Sequence, residues 1–352
     1  MAFSIEKLLR PHILGIKPYS SARDEYSGKE GVFLDANENP YGSLTGEPFN
    51  RYPDPYQLAI KEKLSFIKNV RPTQIFLGNG SDEAIDLLMR AFCVPGKDNV
   101  ILLPPTYGMY EVSASINDIE TKKVNLTEDY QLKPAEILAA VDSQTKIIFI
   151  CSPNNPSGNK MKRQDIRTIL DSFEGMVVVD EAYIDFSDEP SFTNELLEFP
   201  NLLVMQTFSK AWGMANLRIG MAFASEEIIR VLNLIKPPYN ISGLTQQKVM
   251  ESLVQAHKIP ELVLKVLKEK DRLSKALEKI PFVSHIYPSN ANFILVKMTE
   301  AKKVYDHLIN DLIIVRDRSK VVLCEDCLRI SVGTSEENNV LIKELEKYGS
   351  KQ

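Results

Sequence analysis

The sequence predicts an α/β protein in which a largely parallel sheet wrapped by helices is followed by a smaller α+β unit. Three observations carry this. From about residue 74, short apolar runs alternate regularly with segments of helical period, the pattern of strands joined by helical crossovers. After "KPPYNISG" at 236–243 the texture changes to long charged helices and a few isolated strand candidates. A chain of 352 residues, 44% hydrophobic and 25% charged, is long for one compact core and ordinary in composition for a folded protein.

In chain order, the strand candidates of the larger unit are "QIFL" at 74, "NVILL" at 99, "KIIFIC" at 146, "MVVVD" at 176, "LLVMQTF" at 202 and "IGMAFA" at 219. Between them lie helices such as "DEAIDLLMRAF" from Asp82, with Ala84, Ile85, Leu88, Ala91 and Phe92 on one face, and "RQDIRTILDSF" from Arg163. The smaller unit has a Lys, Glu and Leu-rich helix from about Pro260 to Ile280, then strand candidates "ANFILVK" at 291, "LIIVR" at 312 and "CLRISV" at 327. A linker is expected near Pro237 and Pro238. The expected division is an N-terminal segment, 1–34, docking on the smaller domain or a partner subunit; a large domain, 35–243; and a small domain, 244–352.

A formal charge of -5 and the lack of a basic block argue against a protein that coats nucleic acid or anionic membrane. No apolar run is long enough to span a bilayer. Glu6, Lys7 and Arg10 interrupt what a secretion signal would keep apolar, so a cytoplasmic protein is expected. Cys93, Cys151, Cys324 and Cys327 are too few for a disulfide framework. The lone C-x-x-C of Cys324 and Cys327 has no second pair, and the histidines lack metal-ligand spacing, so no metal is expected.

In open α/β sheets, functional residues gather past the carboxyl ends of the strands. The polar loops fall there: "GNGSDE" after the first strand, then "PPTYGMY", "SPNNPSG", "EAY" after Asp180, and "SK" at 209–210. "GNGSDE" supplies two glycines and Ser81 as an expected N-cap, so a helix N-terminus offers N–H groups to an anion, with Thr207, Ser209 and Arg218 as further donors. An ordinary capped helix reads the same way when that loop is taken alone.

Asp180 ends an apolar run, so its carboxylate needs a positive partner. A protonated ring nitrogen at about 4 Å, with an effective dielectric near 20, gains about 4 kcal/mol, roughly 3 pH units of help to the protonated form. A structural aspartate in a cap or an ion pair is the alternative. Lys210, directly after an apolar run, is expected to be buried with a lowered pKa. An anion site, a buried carboxylate, an aromatic platform at Tyr107, a polar loop at Asn155 and such a lysine together match pyridoxal phosphate.

At this point the sequence resembles the fold-type I pyridoxal-phosphate aminotransferases, and within them the histidinol-phosphate aminotransferase family. The resemblance runs nearly end to end, through "PYSSAR", "LDANENPYG", "RYPDP", "GNGSDE", "PPTYGMY", "SPNNPSG", "VVDEAY", "SKAWGMANLRIG", "SNANFILV" and "LRISVGT". It implies a pyridoxal-phosphate-binding large domain with a mostly parallel seven-stranded sheet between helices. It also implies that Lys210 carries the cofactor and moves the proton from the substrate's Cα. Asp180 would pair with the pyridine nitrogen, Tyr183 and Asn155 would hydrogen-bond the ring oxygen, and Tyr107 would stack on the ring. Ser81 and the N–H groups of Asp82 and Glu83, with Thr207, Ser209 and Arg218, would hold the cofactor's phosphate. Tyr52 would reach in from a neighbouring subunit of a homodimer.

For the substrate, the resemblance implies that Arg329 clamps the α-carboxylate and that Arg316 helps it hold a substrate phosphate, with Tyr19 and Asn37 also in contact. The implied reaction moves the amino group of L-glutamate to imidazole-acetol phosphate, giving 2-oxoglutarate and L-histidinol phosphate, in histidine biosynthesis. Aromatic-amino-acid aminotransferases and phosphothreonine decarboxylases share similar motifs and are the alternatives. Ser152, Ser157, Trp212 and Asn216 depart from the residues frequent in the family, and none removes a group that the chemistry requires.

Overall fold

The computed structural model describes residues 3–17 and 31–350, and its architecture follows from where the apolar runs find hydrogen-bonding partners. Seven strands form the larger sheet: β1 (Ile75–Gly78), β2 (Asn99–Leu102), β3 (Glu120–Lys123), β4 (Thr145–Cys151), β5 (Met176–Asp180), β6 (Leu202–Thr207) and β7 (Gly220–Ala224). Their order is β1-β7-β6-β5-β4-β2-β3, and only β7 runs against the rest. The expected mostly parallel, seven-stranded sheet is the one observed. Its two faces carry separate apolar clusters. Val177 and Val179 belong to one, while Met176 and Val178 belong to the other with Ile85, Leu88 and Phe92 of the helix Ser81–Phe92. Burial on both faces is why these strands are apolar without alternation.

The strand candidates of the larger sheet stand at the expected places, but β3 was not legible. Its sequence ETKK is exposed at both ends and half-buried at Thr121 and Lys122, and it becomes a strand only because the edge of β2 offers it a ladder. A smaller antiparallel sheet, ordered β10-β11-β9-β8, follows: β8 (Val283–Ile286), β9 (Phe293–Met298), β10 (Arg316–Asp317) and β11 (Cys327–Ser331). Ile294, Val296, Leu328 and Ile330 face the helices Ile259–Leu277, Ala301–Asn310 and Ser335–Gly349. The alternate residues Phe293, Leu295 and Cys327 face the core shared with the larger sheet.

Three expectations need correction. "LIIVR" is a strand only at its last residue: Leu312 takes a left-handed turn and the Ile313 N–H closes on Leu308, so pairing starts at Arg316, where β11 lies alongside. Ser81 is not the cap of its helix. That place belongs to Gly80 at φ 74°, which a glycine adopts without strain, and Ser81 opens the first turn. Of the N-terminal segment, residues 3–13 pack on the larger unit and not on the smaller one, while Val32 and Leu34 stand exposed. Leu8 and Ile13 join the cluster of the helix Ser81–Phe92, and the Arg10 N–H donates to the Ala91 carbonyl at 3.0 Å, because that helix end offers both an apolar groove and an open carbonyl. Among the described residues, no helix is long and apolar enough to cross a membrane.

Candidate active site

A cleft opens at the carboxyl ends of β4, β5 and β6, where strand pairing sets Cys151 beside Asp180 and Asp180 beside Met205. Period-two alternation decides which way Asp180 points. It shares a strand face with Met176 and Val178, so its carboxylate enters the layer that holds Tyr110 and Phe149. The Tyr110 hydroxyl donates to its Oδ2 at 2.6 Å and the Ala182 N–H to its Oδ1 at 3.1 Å. Tyr110 is itself fully buried and stacked on Phe149, which holds that hydroxyl in place. Burial nevertheless dominates, pushing the Asp180 carboxyl from 3.8 up to about 6 against those two donors. A carboxylate in that condition gains most from a cation set against it.

Across the cleft lies an anion cradle. Gly80 begins the helix Ser81–Phe92, and the Arg218 guanidinium folds over it so closely that a Cβ there would sit 2.7 Å from Nη2. Arg218 adopts φ 50°, and its carbonyl receives the Gly80 N–H at 3.0 Å, so the two turns are latched together. Gly220 makes the approach possible, since a side chain there would run into the Ser81 nitrogen and the Gly80 carbonyl carbon. Thr207 accepts the Ser209 N–H at 3.0 Å, bringing a pair of hydroxyl residues to the same rim. Asp82 bridges the cradle to the aromatic wall: its carboxylate lies 3.6 Å from the Arg218 Nη2 and accepts from the Tyr107 hydroxyl at 3.1 Å.

Ser81, Asp82, Tyr107, Asn155 and Tyr183 line this cleft. Asp180, Thr207, Ser209, Lys210 and Arg218 line it as well. Lys210 itself corrects an expectation. β6 ends at Thr207, so the lysine sits in the following turn and is exposed in the cleft mouth instead of buried. Its ammonium lies 5.5 Å from the Tyr183 ring centroid, and its pKa is lowered by partial desolvation first and then by the Arg329 charge, with Asp180 opposing.

From the smaller sheet, Arg329 donates through Nη1 to the Asn155 Oδ1, joining β11 to the loop after β4. Phe293 supports this contact, with its ring edge-on to Tyr183 at 5.1 Å and under the Arg329 guanidinium at 5.2 Å. Arg316 stands opposite Arg329 in the β10 to β11 register, on the same sheet face. The side chains of three further expected residues do not line this cleft, as suits Glu83, expected to act through its N–H, and Tyr52, expected to serve a neighbouring subunit. The Glu83 side chain turns back to accept the Asn79 N–H at 2.5 Å and shapes the loop from behind. Tyr52 stacks on Tyr239 at 4.5 Å and, with Asn37, lines a separate open cavity. Tyr19 lies outside the described residues.

Sequence reasoning missed Tyr110 and Gly220. Tyr110 stands three residues after Tyr107 in the same motif, and Gly220 interrupts a strand pattern, a known mark of close backbone approach.

The layered α/β architecture, with a lysine, a buried carboxylate and an anion cradle around one cleft, marks a class, the enzymes that work with pyridoxal 5'-phosphate. The comparisons agree: the model of the family described as aminotransferase class I and II matches residues 27–345. The histidinol-phosphate aminotransferase of Cytophaga hutchinsonii is 58% identical over 99% of this chain and 100% of its own length. Among solved structures, the histidinol-phosphate aminotransferase of Clostridium acetobutylicum superposes with a TM-score of 0.80 at 23% identity, covering 86% of this chain and 92% of that one. That of Sinorhizobium meliloti, solved in complex with pyridoxal-5'-phosphate, gives a TM-score of 0.79 at 21% identity over 90% of each chain. The chain belongs to the class I and II aminotransferases and, within them, to the histidinol-phosphate aminotransferase family. It is an enzyme acting on small molecules, and its cofactor is pyridoxal 5'-phosphate.

The residues present fit that cofactor. The glycine cradle under Arg218, with the hydroxyls of Ser81, Thr207 and Ser209, suits a phosphate, and the buried Asp180 suits a cationic ring nitrogen.

Proposed function

We propose that this aminotransferase interconverts L-histidinol phosphate plus 2-oxoglutarate and imidazole-acetol phosphate plus L-glutamate, in the cytoplasm, as a step of histidine biosynthesis. The observation that carries the reading is the Arg329 to Asn155 contact, with Arg316 paired to Arg329 in register. It brings a cationic wall of the small sheet to the mouth of the Lys210 cleft, where an amino-acid-like substrate with a distal phosphate would lie.

The bound cofactor supplies an electron sink and a carrier for the amino group. Lys210 holds it and moves the proton at the substrate's Cα, a task helped by the lowered pKa of its ammonium. Asp180 keeps the ring nitrogen protonated, while Tyr110 and the Ala182 N–H hold that carboxylate in place. Tyr107 provides the stacking face. Asn155 and Tyr183, on the cleft wall, would donate to the cofactor's ring oxygen. Ser81, Thr207, Ser209 and Arg218 bind the phosphate, together with the N–H groups of Asp82 and Glu83 at the helix start. Arg329 orients the substrate.

The enzyme works as a homodimer with shared sites, in which Tyr52 serves the neighbouring copy and Tyr19 and Asn37 contribute to the substrate pocket. Supporting this, Val32, Leu34, Tyr41, Leu44 and Tyr52 present apolar surface along an extended N-terminal arm. We also assign 35–243 to a large cofactor-binding domain and 244–352 to a small C-terminal domain.

The test compares wild type with Lys210→Ala. Wild type reduced with borohydride in the presence of the cofactor is expected to gain the mass of one adduct, and the variant none. Wild type is expected to turn over histidinol phosphate in preference to phenylalanine and phosphothreonine. Carbon dioxide release from phosphothreonine without amino transfer would overturn the assignment.

A further inference from the structure

The cationic wall is larger than the pair that the sequence pointed to. The pairing of β10 with β11 continues one step beyond the strand, because the Arg318 N–H donates to the Cys327 carbonyl at 2.9 Å. Arg318 therefore stands opposite Cys327, two residues from Arg316, and period-two alternation puts Arg316, Arg318 and Arg329 on one face. It is the face of Phe293, Leu295 and Cys327, turned toward the larger domain and away from the helices of the smaller one. Asp317, the adjacent carboxylate, belongs to the opposite face, where it accepts the Ser319 N–H at 2.9 Å and ends the strand.

Arg318 is half-buried, and burial is the first cause lowering its pKa, followed by the charge of Arg316. It and Arg329 both act on the buried Tyr183 hydroxyl in the cleft. Among the described residues, none of the three arginines has an ion-pair partner, and the Arg329 Nε is buried without any acceptor. Arg318 and Arg329 are half-buried and Arg316 is exposed, so two partly desolvated guanidiniums stand beside a third with no counter-charge, and a substrate anion would offset that repulsion. A single α-carboxylate is satisfied by one two-pronged arginine. A phosphate monoester, with three terminal oxygens and close to two negative charges at neutral pH, can accept from more than two guanidiniums.

We propose that Arg318 is a specificity-determining residue: with Arg316 and Arg329 it forms a three-guanidinium site for the dianionic phosphate of the substrate. This rests on the substrate reading above. It places the phosphate against the smaller sheet, apart from the cofactor's own phosphate cradle at Gly80 and Arg218.

The test uses holoenzyme carrying Arg318→Gln. The ratio of kcat/KM for histidinol phosphate to that for histidinol, its phosphate-free counterpart, is expected to fall roughly ten- to a hundredfold, the range for losing a hydrogen bond to a charged group. The inhibition constant of inorganic phosphate against glutamate is expected to rise by a similar factor. An unchanged ratio together with an unchanged phosphate constant overturns the proposal, and so does a variant that loses a dicarboxylate inhibitor while keeping phosphate. The phosphate measurement needs no turnover of histidinol phosphate, so a wild type inactive on that substrate defeats the proposed function and still leaves Arg318 on trial. Should Arg318→Gln not fold, Arg318→Lys keeps the charge without the planar fork and is expected to show an intermediate loss; wild-type behaviour overturns the assignment.

Discussion

Replacing Asp180 with asparagine is expected to stabilise the cofactor-free protein at neutral pH while disabling the enzyme. The carboxyl is 3% exposed, and burial raises its pKa from 3.8 to about 6. A carboxyl whose folded pKa is raised gives its full stabilisation below the unfolded value and loses it as pH rises through the folded one. The window therefore runs from about pH 4 to about pH 6, where stability falls as the carboxylate ionises. A shift of about 2 pH units, at about 1.4 kcal/mol each, costs about 3 kcal/mol at pH 7.5. Asparagine escapes this cost but weakens the contacts from Tyr110 and the Ala182 N–H, by about 1 kcal/mol. The variant should thus be about 2 kcal/mol more stable than wild type at pH 7.5, and its advantage should vanish near pH 4.5. Urea unfolding of both cofactor-free proteins at the two pH values measures it. Turnover should fall by about three orders of magnitude, since about 4 kcal/mol of ring-nitrogen stabilisation is lost. Equal stability at pH 7.5, or an advantage that does not depend on pH, would refute the reasoning.

Tyr110→Phe removes the 2.6 Å donor and should move the pH-dependent loss of stability to higher pH, measured as the midpoint of urea resistance against pH. Gly220→Ala forces β7 away from the Gly80 turn and should cost about 3 kcal/mol, with weaker cofactor retention on dialysis. Thr334→Ala breaks the capping box of the helix Ser335–Gly349 and should cost about 1 kcal/mol in urea with kcat unchanged, which separates stability from chemistry.

Much of the larger sheet was legible because its strands are buried on both faces. "MVVVD" and "KIIFIC" can hardly be anything but central strands bounded by polar loops; Asp180 ends the first, and the loop after the second carries Asn155. The exposed edge β3 and the two-residue β10 have no such imprint, since only a neighbouring strand makes them strands. Lys210 shows the same boundary. Its place after an apolar run marked it as unusual, but the run ended three residues earlier, and the turn left the ammonium in the open cleft.

The sequence by itself determined the layered α/β class, the loops that hold the chemistry, and the cofactor that a lysine, an aspartate and a capped helix together imply. Tertiary structure alone decided that Gly220 lets two turns touch, that Tyr110 fastens Asp180, and that strand register gathers Arg316, Arg318 and Arg329 on one face. The reason is separation along the chain. Burial and turn chemistry act over a few residues and leave a local pattern, whereas Tyr110 and Asp180 meet across 70 positions, and their contact exists only after the sheet has formed.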